Sequence, residues 1–188
     1  MDVVGSLGYI GQDLKFVDVD RFAFKTGNSL CIYDTSKGPR EMVWRMDSGV
    51  NCFSTNPENK SMAITPTSFG NNDVEIVNVV DQTTRVILEN PTQSPIIALC
   101  FSRDGENIYG ITDIANHHLL VWNILLSGRL LVCSKLPRNC YRCSVNPCNP
   151  NQICLQGETG LILGQMSEIL GNFIIKFDFV ALVDHRIV

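Results

Sequence analysis

Four cysteines lie close together near the end of the chain. Cys140 and Cys143 form a Cys-x2-Cys pair, and Cys148 and Cys154 follow with four and then five residues between neighbours. Four thiolates are a tetrahedral zinc set, provided that they converge. Tyr141 to Val145 reads as a strand, however, and residues three apart in a strand have opposite parity, so Cys140 and Cys143 are expected to face away from each other. Cys148 falls in an Asn-Pro turn and Cys154 in the next apolar strand, which scatters the set further. The expectation is packed, reduced thiols and no metal. His117 and His118 are adjacent, so in a strand at most one faces a given pocket, and a surface or packing role is expected. Asp18 and Asp20 share parity but read as a solvated turn rather than a catalytic pair. Trp44 and Trp122 sit in hydrophobic runs and read as core anchors.

No other signature of chemistry is present. The sequence holds no Gly-x-Ser-x-Gly elbow, phosphate-binding Gly-rich loop with Lys, His-Glu-x-x-His pair or calcium loop. The expected inventory is therefore no catalytic residue, no cofactor-binding residue, no metal ligand and no small-molecule substrate, hence no enzyme. With 15 Lys plus Arg against 19 Asp plus Glu, the formal net charge is −4. An acidic balance of this kind argues against nucleic acid as a partner. The longest strongly apolar run, Leu119 to Leu126, is broken by Asn123 and is far shorter than the roughly 20 residues of a membrane span. Met1 to Ile10 carries no basic flank or apolar stretch of an export signal. Cys31, Cys52, Cys100 and Cys133 stand among apolar residues like small buried hydrophobes, which points to a reducing, cytoplasmic setting.

The elements that must position these residues are short strands. Phe22 and Phe24 alternate with Ala23 and Lys25, and Gly27-Asn28 suits a two-residue hairpin turn into Ser29 to Tyr33. Asp104-Gly105 plays the same part between Ile96 to Phe101 and the strand at Ile108 to Ile111. Self-comparison shows a repeat. The segment Val50 to Pro57 lines up with Ala98 to Gly105 and with Tyr141 to Pro147, so the cysteine steps are 48 residues from Cys52 to Cys100 and 43 from Cys100 to Cys143. A second register, an apolar residue followed by a small polar one or Gly, occurs at Tyr33-Asp34, Val77-Asn78, Trp122-Asn123 and Leu163-Gly164, at steps of 44, 45 and 41. A period of roughly 40 to 45 residues with about four strands per unit is that of WD40 blades. The fold class expected is all-β, a WD40-like β-propeller with about four blades of an incomplete or partial propeller. The blades would span about residues 10–47, 48–90, 94–136 and 138–177 within a region 1–177, leaving 178–188 as an unassigned tail.

Three stretches resemble one family in particular. Cys100-Phe101-Ser102-Arg103-Asp104-Gly105-Glu106-Asn107-Ile108 is similar to a blade opening, Leu120-Val121-Trp122-Asn123 to a third strand, and Arg142 to Leu155 to an apolar, Asn-Pro, Asn, Gln and apolar series. Together they resemble the cilia- and flagella-associated WD-repeat proteins of the axoneme. Val145 departs from the pattern, because the family has an aromatic residue there. The resemblance implies a non-enzymatic structural module of the ciliary or flagellar cytoskeleton. It implies a tether holding an inner-arm dynein motor domain to the doublet microtubule beside a partner WD-repeat tether protein. The matched residues are strand and turn positions in that family, with no catalytic role. A general cytoplasmic WD40 scaffold or adaptor is the alternative reading.

Overall fold

The computed structural model describes residues 14–27, 29–36, 42–46, 49–56, 58–67, 72–81 and 83–181, with 42–46 and 181 described by their backbone. Among the described residues, every regular element except a 3-10 turn at Ile114–Asn116 is a strand. The strands are β1 (Leu14–Phe16), β2 (Arg21–Thr26), β3 (Ser29–Asp34) and β4 (Met42–Met46), then β5 (Val50–Asn56), β6 (Ser61–Pro66), β7 (Val74–Asn78) and β8 (Thr84–Leu88). They continue with β9 (Ile96–Phe101), β10 (Asn107–Thr112), β11 (His118–Asn123) and β12 (Arg129–Lys135), then β13 (Cys140–Asn146), β14 (Asn149–Gly157), β15 (Gly160–Ile169) and β16 (Asn172–Ala181). Each successive group of four forms one sheet in chain order. The pairs β1–β2, β5–β6, β10–β11 and β13–β14 are antiparallel, as are the pairs that follow them in each sheet. The chain divides into two compact units, one ending at Ile96 and the other beginning at Ile97.

Burial explains why the middle strands lack the polar alternation of a half-exposed strand. All six residues of β10 are buried, as are four of the six in β11, because both faces of these strands are covered. In the first unit, Ala23, Leu30 and Ile32 of the first sheet share a core with Phe53, Met62, Ile64 and Val77 of the second. Lys15 and Lys25 cross from the first sheet to donate to the carbonyls of Phe53 and Asn51, at 3.1 and 3.2 Å. In the second unit, Tyr109, Leu119 and Val121 of the third sheet pack with Ile153, Leu155 and Ile162 of the fourth.

Polar residues at strand ends fix where the chain turns. Side-chain oxygens of Asp34, Asn78 and Asn123, which end the third strand of three sheets, accept the backbone N–H of Ser36, Val80 and Leu126 at 2.9 Å each. The turn between first and second strands uses the same device, with Asn56, Asp104 and Asn146 accepting from Glu58, Glu106 and Cys148. A short carboxylate or amide supplies an acceptor that the backbone would otherwise lack at the turn. At the far end, Leu170 and Gly171 both have positive φ, 51° and 80°, the pair of values that closes a two-residue hairpin between β15 and β16.

The fourth sheet departs from the expected register in two places. Ile162, not Leu163, packs on the third sheet, while Leu163 is 36% exposed on the opposite face and β15 runs on to Ile169. A one-residue slip reverses which side chain faces the core, so the fourth repeat is out of phase with Trp122-Asn123. The last strand also passes the expected boundary at residue 177 and ends at Ala181. Alternation carries it there: Phe177 packs on the core, and the Phe179 ring lies 3.8 Å under the Arg138 guanidinium.

Candidate functional site

The cysteine cluster is arranged differently from the parity expectation. Cys140 pairs with Gly157 and Arg142 with Gln156, so Tyr141 is an extra residue in a β-bulge. Cys143 then pairs with Leu155, two residues from Gly157, which puts Cys140 and Cys143 on the same face. This corrects the expectation that they face apart. Both join the core between the third and fourth sheets. Cys154 pairs with Ser144 and Leu163 and lies on the other face, and Cys148 is exposed in the turn. Among the described residues, no group of three or more His, Cys, Asp and Glu is placed to hold a metal ion. Burial, followed by the neighbouring Cys143 and Cys154, pushes the Cys140 thiol up to about 11, so it is a neutral thiol at physiological pH.

His117 is buried and joins two sheets. Its Nε2 accepts the backbone N–H of Cys140 at 2.8 Å, and its Nδ1 lies 2.8 Å from the carbonyl oxygen of Thr112. An amide N–H only donates and a carbonyl only accepts, so the ring must carry its proton on Nδ1. Thr112 completes the corner, its hydroxyl accepting the His118 N–H at 2.8 Å. His118 itself is half-buried, with Nδ1 3.1 Å from the Asn116 carbonyl oxygen. A second link between these sheets is the Tyr109 hydroxyl, which donates to the Pro150 carbonyl at 2.6 Å. Burial, then the fields of Cys100 and Asp104, raise the Tyr109 phenol far above its ordinary value, which keeps it a neutral donor.

Trp122 also serves the frame. It is fully buried, with its ring over Gly110. The Trp44 side chain lies outside the described residues. Cys31 and Cys52 are buried and Cys100 is half-buried, but Cys133 is exposed, a correction to its expected burial. It lies on β12, an outer strand in which Val132 is the one buried residue. Sequence reasoning missed Asn90, a buried amide whose Nδ2 donates to the carbonyls of Asn72 and Ser94 while Oδ1 accepts from Thr92. The Asn-Pro-Thr run was its only local signal.

Asp18 and Asp20 lie in the turn between β1 and β2. Asp18 accepts from the Arg21 guanidinium at 2.8 Å and from the N–H groups of Asp20 and Arg21. Burial opposes ionisation of Asp18, yet these hydrogen bonds and the Arg21 charge outweigh it and hold the carboxyl below its ordinary value. A carboxyl lowered by folding stabilises the fold above its unfolded pKa, and that contribution is lost as pH falls through the folded value. Urea midpoints should therefore differ between the wild type and Asp18→Asn at neutral pH and converge in acid, below the ordinary value of 3.8. A difference that persisted unchanged into acid would assign the effect to something other than this carboxylate.

No family model matches the chain, and no curated protein matches it. Among solved structures, it is similar to the crystal structure of Kluyvelomyces marxianus Hsv2, a β-propeller, with a TM-score of 0.69 at 10% sequence identity over 92% of this chain. The fold is a β-propeller. The chain spans 62% of the length of that Hsv2 structure. At this identity the likeness concerns the fold, and the propeller is the frame within which His117, Tyr109 and Trp122 hold strands and sheets together.

Proposed function

We propose that this propeller is a non-enzymatic structural and interaction module of the ciliary or flagellar axoneme. In this reading it contributes about four WD40-like blades of a partial propeller to a tether that holds an inner-arm dynein motor domain to the doublet microtubule. Its partners are axonemal proteins, namely the dynein and a second WD-repeat tether protein, rather than nucleic acid, membrane or a small molecule. The observation that supports it is the series Arg142 to Leu155, which resembles the axonemal family and forms β13, its turn and β14. The side chains best suited to chemistry there and nearby, Cys140 and His117, are engaged in sheet packing and backbone hydrogen bonds. A rigid frame with variable loops binds by shape. Charge matching to the acidic microtubule surface is unfavourable at a net charge of −4.

Deletion in a ciliated cell, read by electron tomography of the axoneme and by beat waveform, tests this. A missing or displaced inner-arm dynein head on intact doublets is the expected result. Normal arms and a normal beat would refute the tether and favour the general cytoplasmic WD40 adaptor.

A further inference from the structure

The last strand of the fourth sheet has an edge suited to one particular occupant. β16 is ten residues long, against five for β8 and seven for β12, the outer strands of the second and third sheets. Among the described residues it pairs with β15 alone, at the end of its sheet. A long edge strand presents a row of backbone N–H and C=O groups that another strand can complete. Asn172, Ile174, Lys176, Asp178 and Val180 are exposed along one face.

The order of side chains on β16 is self-complementary. If a second β16 runs antiparallel about a twofold axis through Phe177, Lys176 falls opposite Asp178 of the other copy, and Asp178 opposite its Lys176. In the same register Ile175 meets Phe179, Ile174 meets Val180, and Phe177 meets itself. Opposite charges and apolar pairs directly across an antiparallel ladder are the favourable combinations. β12 gives the contrast: mirrored about its central Val132, it sets Arg129 against Lys135, a like-charge pair. A lone lysine protects an edge from pairing. On β16 the acid two residues away cancels that protection when the partner is another β16.

We propose that β16 is a self-association site, through which two copies of this chain join their fourth sheets into one continuous eight-stranded antiparallel sheet across a twofold axis at Phe177. The contact is isologous and closes on itself as a dimer. The inference rests on the edge and its charge order and does not depend on the axonemal reading.

Sedimentation of the full chain over a wide concentration range tests it. A monomer–dimer equilibrium is expected for the wild type. Lys176→Asp alone sets two carboxylates opposite each other twice over, and Asp178→Lys alone does the same with two amines, so each should weaken the dimer roughly tenfold or more. The double variant Lys176→Asp/Asp178→Lys restores both pairs and should recover wild-type association. Lys176 and Asp178 are exposed, so circular dichroism, and the melting temperature at concentrations where the wild type is monomeric, should be unchanged. A wild type that stays monomeric, single variants that associate as tightly as wild type, or a double variant that fails to recover would each overturn the proposal.

Discussion

Replacing Trp122 with alanine is expected to lower the unfolding free energy by about 3 to 5 kcal/mol, the range for truncating a large buried aromatic. That is a large share of the roughly 5 to 15 kcal/mol that holds a domain folded. Trp122 is fully buried on β11, and its ring occupies the space that a side chain at Gly110 would need: a Cβ there would lie 2.9 Å from the ring and 3.5 Å from Leu99. Gly110→Val should therefore cost about 1 to 3 kcal/mol by overpacking. Combining the two changes should cost clearly less than their sum, because the cavity left by the indole receives the valine. Urea denaturation of the four proteins measures this. Additive losses, or a Trp122→Ala loss below about 1 kcal/mol, would show that the ring does not fill the space over Gly110.

The second large effect is expected at His117. His117→Ala removes the acceptor of the Cys140 N–H and the donor to the Thr112 carbonyl, two groups held at 2.8 Å by a buried ring. An orphaned buried polar group costs about 1 to 3 kcal/mol, so the combined loss should rival that of Trp122. Since the two groups belong to different sheets, the Cys140 amide should also exchange its hydrogen much faster in the variant. In the wild type, nitrogen NMR should find the proton on Nδ1 and none on Nε2. A fully protected Cys140 amide in His117→Ala would mean that the ring is not the link between β13 and the end of β10.

The strand pattern was legible because the repeat combines two local signals, apolar runs and polar turn residues. Cys52 and Cys100 lie in β5 and β9, the first strands of their sheets, and Tyr33, Val77 and Trp122 lie in third strands that end in Asp34, Asn78 and Asn123. Those three polar residues recur in the sequence because each accepts a backbone N–H in the turn that follows. The fourth sheet was less legible for a definite reason. Strict parity holds only in a regular strand, and the extra residue at Tyr141 reverses it, bringing Cys140 and Cys143 to one face. No residue type marks that bulge. The phase slip at Leu163 has the same character, since a shift of one residue keeps the composition and changes the face. His117 reads as a packing residue from sequence, but its partner, the Cys140 amide, is 23 residues away, and no local pattern specifies such a contact.

A tether subunit resides on the axoneme, and fractionation tests this most directly. Ciliated cells expressing the tagged full-length protein are demembranated, and the axonemes are separated from soluble matrix and cytosol and imaged. The protein is expected to stay with the axoneme through detergent extraction and to leave together with inner-arm dynein and its tether when the arms are extracted with salt. Release with the soluble fraction as soon as the membrane is removed, with no signal along the doublets, would contradict the tether reading.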